Sequence, residues 1–416
     1  MSRVPTPTNG GRVRTWIRLA VVVVAGATAV VSCGGSSKPS VSTHPTTTVR
    51  ERTTTSTTPP SSTTGARPPK WTAVPAAPIA GRIAAGVVWT GTEMIAWGGV
   101  VRGDTIASAS DGAAYDPASR TWRTLAPAPS GVAGDVGTAA VWTGAGAVFW
   151  AGNSPDGPAL GAVYDPAADS WRRLPRGPLG PRESYASVWT GTELLIIGGN
   201  SGDQGASPVA GAVNPRTGVW RLLTAMDRFP GLRLAGEVWD GHLVFASGTY
   251  SLCPGLGSAC PKRRSIFFVF NPATDAVREI HLPRSPSASL APVGWTGSEV
   301  VFTTTANGTT RIVRYRPATG SWDAGPSAPC RVPDPYYTQS LWFDGRYASA
   351  CVPSRLQIYT ASTNSWMIID TGSSPFTSRA GSAVVWTGHE IVAWSGTVRA
   401  AGNRTPNDGA SIALRR

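Results

Sequence analysis

Few residues in this 416-residue chain stand at spacings that suggest chemistry. The most regular are charged. Arg82, Asp135, Arg182 and Arg379 each lie seven residues before a tryptophan (Trp89, Trp142, Trp189 and Trp386), and Arg233 lies six before Trp239. Guanidinium groups gathered at one mouth could take a carboxylate or sulfate through paired N–H donors. Tyr185 and Tyr336 fall near the same register and could stack on a sugar ring. Asp135, Glu183 and Asp334 offer the carboxylates of a glycosidase, which needs two acids flanking the bond it cleaves.

Other chemistries are poorly supplied. The four histidines are His44, His242, His281 and His389, scattered so widely that no two can share a metal or serve a Ser-His-Asp triad. No metal site and no cofactor is expected. The glycine-rich stretches lack a following Lys-Ser/Thr and a helix, so they do not form a phosphate cradle. The formal net charge is +13, but the basic residues are not clustered, which argues against nucleic acid as a partner. Five cysteines divide into Cys33, near the N-terminus, and four others. An even remainder in an exported chain suggests two disulfides with three possible connectivities, of which the local one (Cys253 with Cys260, Cys330 with Cys351) is favoured.

The elements that must position these residues are repeats. Trp-Thr-Gly or a near variant occurs at Trp89, Trp142, Trp189, Trp239, Trp295, Trp342 and Trp386, 44 to 56 residues apart. Such a period in a Gly- and Pro-rich chain of short apolar runs indicates a propeller-like array. Each repeat reads as four strands, a to d. Glycine in the a–b turn supplies the positive φ of a tight hairpin, and Asp-Pro or Asn-Pro opens the c–d turn. The last repeat has strands a, b and c (383–386, 391–394 and 409–414) but no d, whereas Trp71 begins a d-like strand with nothing before it. The N-terminal strand is therefore expected to complete the final blade. That predicts an all-β, seven-bladed β-propeller of four-stranded blades over residues 71–416.

Gly98-Gly99 and Gly198-Gly199, together with Tyr115-Asp-Pro…Trp122 and Tyr164-Asp-Pro…Trp171, resemble the Kelch repeat and the central propeller of galactose-oxidase-type proteins. The resemblance spans 71–416 and fades in repeats four to six. It implies a second role for the arginines, bridging adjacent blades by hydrogen bonds, and this is favoured over ligand binding. The copper chemistry of that family does not carry over, because the histidines are misplaced.

The N-terminus gives an address. Arg12, Arg14 and Arg18 precede an apolar run at 19–31, too short for a comfortable membrane span and suited to a secretory signal. Val30-Val31-Ser32-Cys33 followed by Gly-Gly-Ser-Ser resembles the lipobox of bacterial lipoproteins. It implies a signal peptide at 1–32, a diacylglyceryl thioether on Cys33, and attachment to the membrane outside the cytoplasm, in the bacterial cell envelope. Residues 33–70, rich in Ser, Thr and Pro, read as a disordered stalk.

In such a fold the a–b and c–d turns share one end of the sheets and the b–c and d–a loops the other. The loops vary and the turns do not, so binding is expected at the loop end. The expected function is a monomeric, lipid-anchored binding or scaffold protein for an envelope protein or glycan. The alternatives are a glycan-active enzyme using carboxylates at the channel mouth, or an accessory subunit of a membrane complex.

Overall fold

The computed structural model describes residues 69–414, apart from 103–105, 136, 152–158, 201–208, 254–261, 283–289, 333–339, 352–354, 373–374 and 399–403. The segments expected to be a signal peptide and, nearly all of it, a stalk, including Cys33, lie outside the described residues.

The described chain is all-β and forms seven four-stranded antiparallel sheets. Sheet one is Gly86–Trp89, Met94–Trp97, Gly112–Asp116 and Thr121–Thr124. Sheet two is Ala139–Trp142, Ala147–Ala151, Leu160–Asp165 and Ser170–Arg173. Sheet three is Glu183–Trp189, Leu194–Asn200, Ala210–Val213 and Trp220–Leu222. Sheet four is Arg233–Trp239, Val244–Ser251, Arg263–Asn271 and Ala276–Glu279. Sheet five is Leu290–Trp295, Val300–Ala306, Thr309–Arg316 and Ser321–Arg331. Sheet six is Ser340–Phe343, Arg346–Cys351, Arg355–Thr360 and Ser365–Asp370.

Sheet seven is composite. Ala383–Trp386, Glu390–Trp394 and Gly409–Ala413 come from the C-terminal end, and the fourth strand is Thr72–Val74. Thr72, Ala73 and Val74 pair with Ser411, Ala410 and Gly409, so the N-terminal strand covers an edge that would otherwise be open.

The turns explain the repeated phrase. Thr90 donates its N–H to the Glu93 carbonyl, Glu93 N–H is capped by the Thr90 hydroxyl at 2.9 Å, and Gly91 between them has φ 106°. This is the backbone that glycine alone adopts without strain. At the c–d turn Asp116 accepts the Ala118 N–H at 2.8 Å. That turn ends on a left-handed residue in six sheets: Arg120, Asp169, Gly218, Asp275, Gly320 and Asn364.

Packing runs between sheets. Each of seven apolar clusters joins one sheet to the next, and Val74, Met94, Tyr115, Val385 and Trp394 form the one that joins sheet seven to sheet one. The first strand of every sheet also contacts the first strand of the next, and Ala383–Trp386 returns to Gly86–Trp89. Tryptophans of the outer strands stitch the same seams. Trp171 donates its indole N–H to Ala126 of the preceding sheet at 2.8 Å, Trp220 to Pro175 at 3.0 Å, and Trp122 to Pro75 at 2.9 Å. Their repeated positions thus serve packing between sheets.

The b–c loops are more ordered than the sequence suggests. Val100–Arg102 pairs with both Arg82–Ile83 and Ile106–Ser108, and Thr397–Val398 pairs with Arg379–Ala380. Two helical turns, Thr224–Arg228 and Pro375–Ser378, interrupt the strands.

Candidate functional site

The regularly spaced arginines lie at the loop end, and their donors face inward. Arg82 is buried; its Nε donates to the Ala80 carbonyl, and its Nη1 to the carbonyls of Gly98 at 3.3 Å and Asp111 at 3.2 Å. Its two terminal nitrogens also meet the Asp111 carboxylate at 2.7 and 3.1 Å. Burial pushes the Asp111 carboxyl up, but the hydrogen bond and charge of Arg82 outweigh it, and the net shift is downward. Arg182, equally buried, donates Nη1 to the Gly198 and Val209 carbonyls at 3.0 and 3.1 Å. Desolvation lowers its pKa to about 10. Arg379 donates Nη1 to the Asp408 carbonyl at 3.0 Å and Nη2 to the Asp408 carboxylate at 3.2 Å.

Each of the three guanidinium groups therefore staples the b–c loop of its own sheet. The tie between sheets comes from the Arg82 backbone. Its N–H donates to the Ser395 hydroxyl at 2.7 Å, and that hydroxyl donates to the Arg82 carbonyl at 2.9 Å. The guanidinium also lies over the Trp394 ring of sheet seven, 5.9 Å from its centroid.

Tyr185 is likewise committed. Its hydroxyl accepts the Ala139 N–H at 3.0 Å and donates toward the Gly137 carbonyl, and its ring meets Trp150 edge-on. It locks sheet three to sheet two and does not present a stacking face. Tyr336 and Asp334 lie outside the described residues.

A different set of charges converges at this end. Burial raises the Glu183 carboxyl pKa; Arg233 acts against the shift, and Asp135 adds to it. These three residues come from three consecutive sheets or their approaches, two, three and four. A bulge between Leu234 and Gly236 sets Arg233 opposite Thr249, out of register with Arg182. Beside it Arg263 donates Nη2 to the Gly231 and Thr249 carbonyls at 2.6 and 2.9 Å, while its Nη1 is buried without a partner. Burial and the neighbouring Arg233 charge lower the Arg263 pKa. The result is two carboxylates and two guanidinium groups within electrostatic reach of one another, one of them with a buried nitrogen that lacks a partner.

Deeper along the same inner strands stands Glu237. Its carboxylate accepts the Ser187 N–H from the neighbouring sheet at 3.4 Å, and burial raises its pKa to about 7. This residue was not visible in the sequence, because nothing in the repeat marks its position.

Two further features bear on function. Cys330 and Cys351 form a disulfide with Cα atoms 5.8 Å apart, joining the outer strand of sheet five to the second strand of sheet six at the loop end. Cys253 is disulfide-bonded as well, and Cys260 lies outside the described residues. At the opposite, turn end, a cleft of about 580 Å³ opens between sheets two and three, lined by residues that include Trp171, Arg172, Trp189 and Arg216. The sequence had pointed away from that end.

Among the described residues no group of three His, Cys, Asp or Glu could hold a metal ion, and no helix is long and apolar enough to cross a membrane. No protein-family model matches the chain, and comparison with curated proteins finds no match.

Proposed function

We propose that residues 71–416 form a closed, seven-bladed, Kelch-like propeller that binds an envelope glycan or protein at its loop end. The protein is carried outside the cytoplasm on a lipid anchor at Cys33. Closure is supported by the seven sheets, the return of Ala383–Trp386 to Gly86–Trp89, and the shared seventh sheet. An oxidising compartment suits the Cys330–Cys351 bond.

The observation that carries the binding reading is the buried Arg263 Nη1 without a partner, beside a Glu183 carboxyl that feels the charges of Arg233 and Asp135. A buried donor without a partner, held by a rigid strand, is where a ligand gains most from direct contact. The test is crosslinking and recovery of partners from intact cells, with purified envelope glycans assayed in parallel. The Arg233→Gln and Glu183→Gln variants should lose at least tenfold in affinity while melting like the parent. Equal binding by both variants would remove this site. A second reading, glycan hydrolysis, draws on the Glu183 carboxyl, which burial and the Asp135 charge shift upward as the surroundings of a general acid do. Turnover of a glycan that is abolished in Glu183→Gln would select it.

A further inference from the structure

We propose that the cleft between sheets two and three is a second binding site, specific for the carboxylate of an acidic sugar, with Arg172 as its anchor. The reasoning starts from an interrupted repeat. In sheet one Glu93, the last residue of the a–b turn, takes a two-pronged contact from Arg123 of the outer strand, Nε at 2.9 Å and Nη2 at 2.7 Å. Sheet three repeats it, with Arg221 on Glu193 at 2.9 and 2.7 Å. In sheet two the arginine is kept as Arg172, but Gly146 stands where the glutamate would be.

The turn itself does not require that glycine, since Gly146 lacks a left-handed φ. Volume has been exchanged with its neighbour. Sheets one and three have Ala114 and Ala212 on the adjacent strand, whereas sheet two has Val163, whose Cγ1 would lie 2.9 Å from a Cβ on Gly146. The exchange removes the carboxylate and leaves open space beside the arginine.

Arg172 remains aimed as its counterpart is. Its Nη2 donates to the Pro215 carbonyl of the next sheet, as Arg221 Nη2 donates to Pro272 at 2.9 Å. Among the described residues no carboxylate lies within ion-pair distance of Arg172. Sheet four also keeps the arginine, Arg278, without a glutamate, but there Leu243 fills the place and packs against the core. Sheet two therefore combines a retained guanidinium with room for a guest.

The rest of the cleft suggests what the guest carries. Trp189 gives an apolar wall, and Arg216 adds a second positive charge. Asp165, the carboxylate of the lining, is occupied by its own turn, where it accepts the Ala167 and Ala168 N–H groups. Asn214 uses its oxygen on the Arg216 and Thr217 N–H groups, which leaves its NH₂ as a donor. A hexuronate meets all of these: carboxylate to Arg172, ring against indole, hydroxyl to Asn214. This site is at the opposite end of the sheets from Glu183 and Arg233, so neither reading depends on the other.

The test is titration of the purified, folded chain with digalacturonate, followed by tryptophan fluorescence and calorimetry. The dimethyl ester serves as an uncharged twin, and a glutamyl tripeptide as an acidic ligand without a sugar ring. The acid should bind at least tenfold more tightly than the ester and the tripeptide. Arg172→Gln, on the surface, should lose that margin. So should Gly146→Glu combined with Val163→Ala, which rebuilds the pattern of sheets one and three and places an internal carboxylate in the cleft. Equal binding of acid and ester, tighter binding of the tripeptide, or undiminished binding by Arg172→Gln would each overturn the proposal.

Discussion

The two ends of the sheets use polar residues in opposite ways. At the turn end, Glu93 and Arg123, or Glu193 and Arg221, meet with substantial exposure to water, and the turns satisfy their own backbone through Thr90 or Asp116. Such pairs contribute little because water competes for both partners. At the loop end, Arg82 and Arg182 are buried and donate to backbone carbonyls of the folded-back loops. The turn end is regular because local sequence closes it. The loop end is ordered because long side chains reach across it, and that leaves a few charges, notably Glu183 and Arg233, with ligand-like demands. The exception at the turn end is Arg172, where one missing glutamate gives a regular surface a cleft.

The largest effect should come from breaking the one seam on which both ends depend. Deleting residues 70–76 removes Thr72–Val74 from sheet seven and takes Val74 out of the cluster it shares with Met94 and Val385. Lost strand pairing and apolar burial of a few side chains at about 2 kcal/mol each give a cost of roughly 5 kcal/mol or more. Deleting 40–60, assigned by composition to the stalk, should leave the melting midpoint unchanged. Equal midpoints for the two deletions would mean that the N-terminal strand is not what completes the seventh sheet.

A pair of substitutions tests the contrast between the ends directly. Arg82→Met keeps much of the side-chain volume but orphans the Gly98 carbonyl and leaves the half-exposed Asp111 carboxylate without its partner. The expected loss is about 2–3 kcal/mol, that of a buried carbonyl left unsatisfied together with a lost charge-assisted hydrogen bond. Arg221→Met, at the turn end, should cost about 1 kcal/mol or less. Urea unfolding of both variants measures the difference. Similar losses would mean that burial is not what separates the two ends.

These contrasts also mark how far the sequence could be read. Trp-Thr-Gly was legible because glycine's positive φ and the threonine cap are local requirements, visible in one strip of residues. The sharing of the last sheet was legible because Trp71 had no preceding strands and the final repeat had no fourth. The arginine register was visible but its use was not: whether Arg82 faces solvent or the Gly98 carbonyl depends on a loop folded back sixteen residues later. Arg233 looked like a misplaced member of the same set until the bulge at Leu234–Gly236 showed a different ladder position. The cleft was hidden for a related reason. Gly146 is unremarkable in its own turn and becomes informative only beside Val163 and Arg172, which lie on two other strands.

A further effect concerns Glu237, and its sign is opposite to that of the deletions. Its carboxyl titrates at about 7 in the folded protein because burial disfavours the charge, against an ordinary glutamate value of about 4.5 in the unfolded chain. Between those values the folded state holds a proton that the unfolded state has released. Stability contributed by this residue is therefore present below about pH 4.5, falls as pH rises through the window, and levels off above about 7. A shift of that size corresponds to about 3 kcal/mol at most; the surface Glu237 keeps and its hydrogen bond from Ser187 reduce the expectation to about 2 kcal/mol. Burial also raises the Glu183 carboxyl pKa, so the measurement must be a difference. Glu237→Gln and the parent should unfold at the same urea concentration near pH 4.5, and the variant should be the more stable above pH 7. The matching change at the turn end, Glu193→Gln, should produce no such gain, because Glu193 faces Arg221 and its charge is wanted there. A pH-independent difference for Glu237→Gln would place its carboxylate in water and remove the contrast between an end that pairs its charges and an interior that resists them.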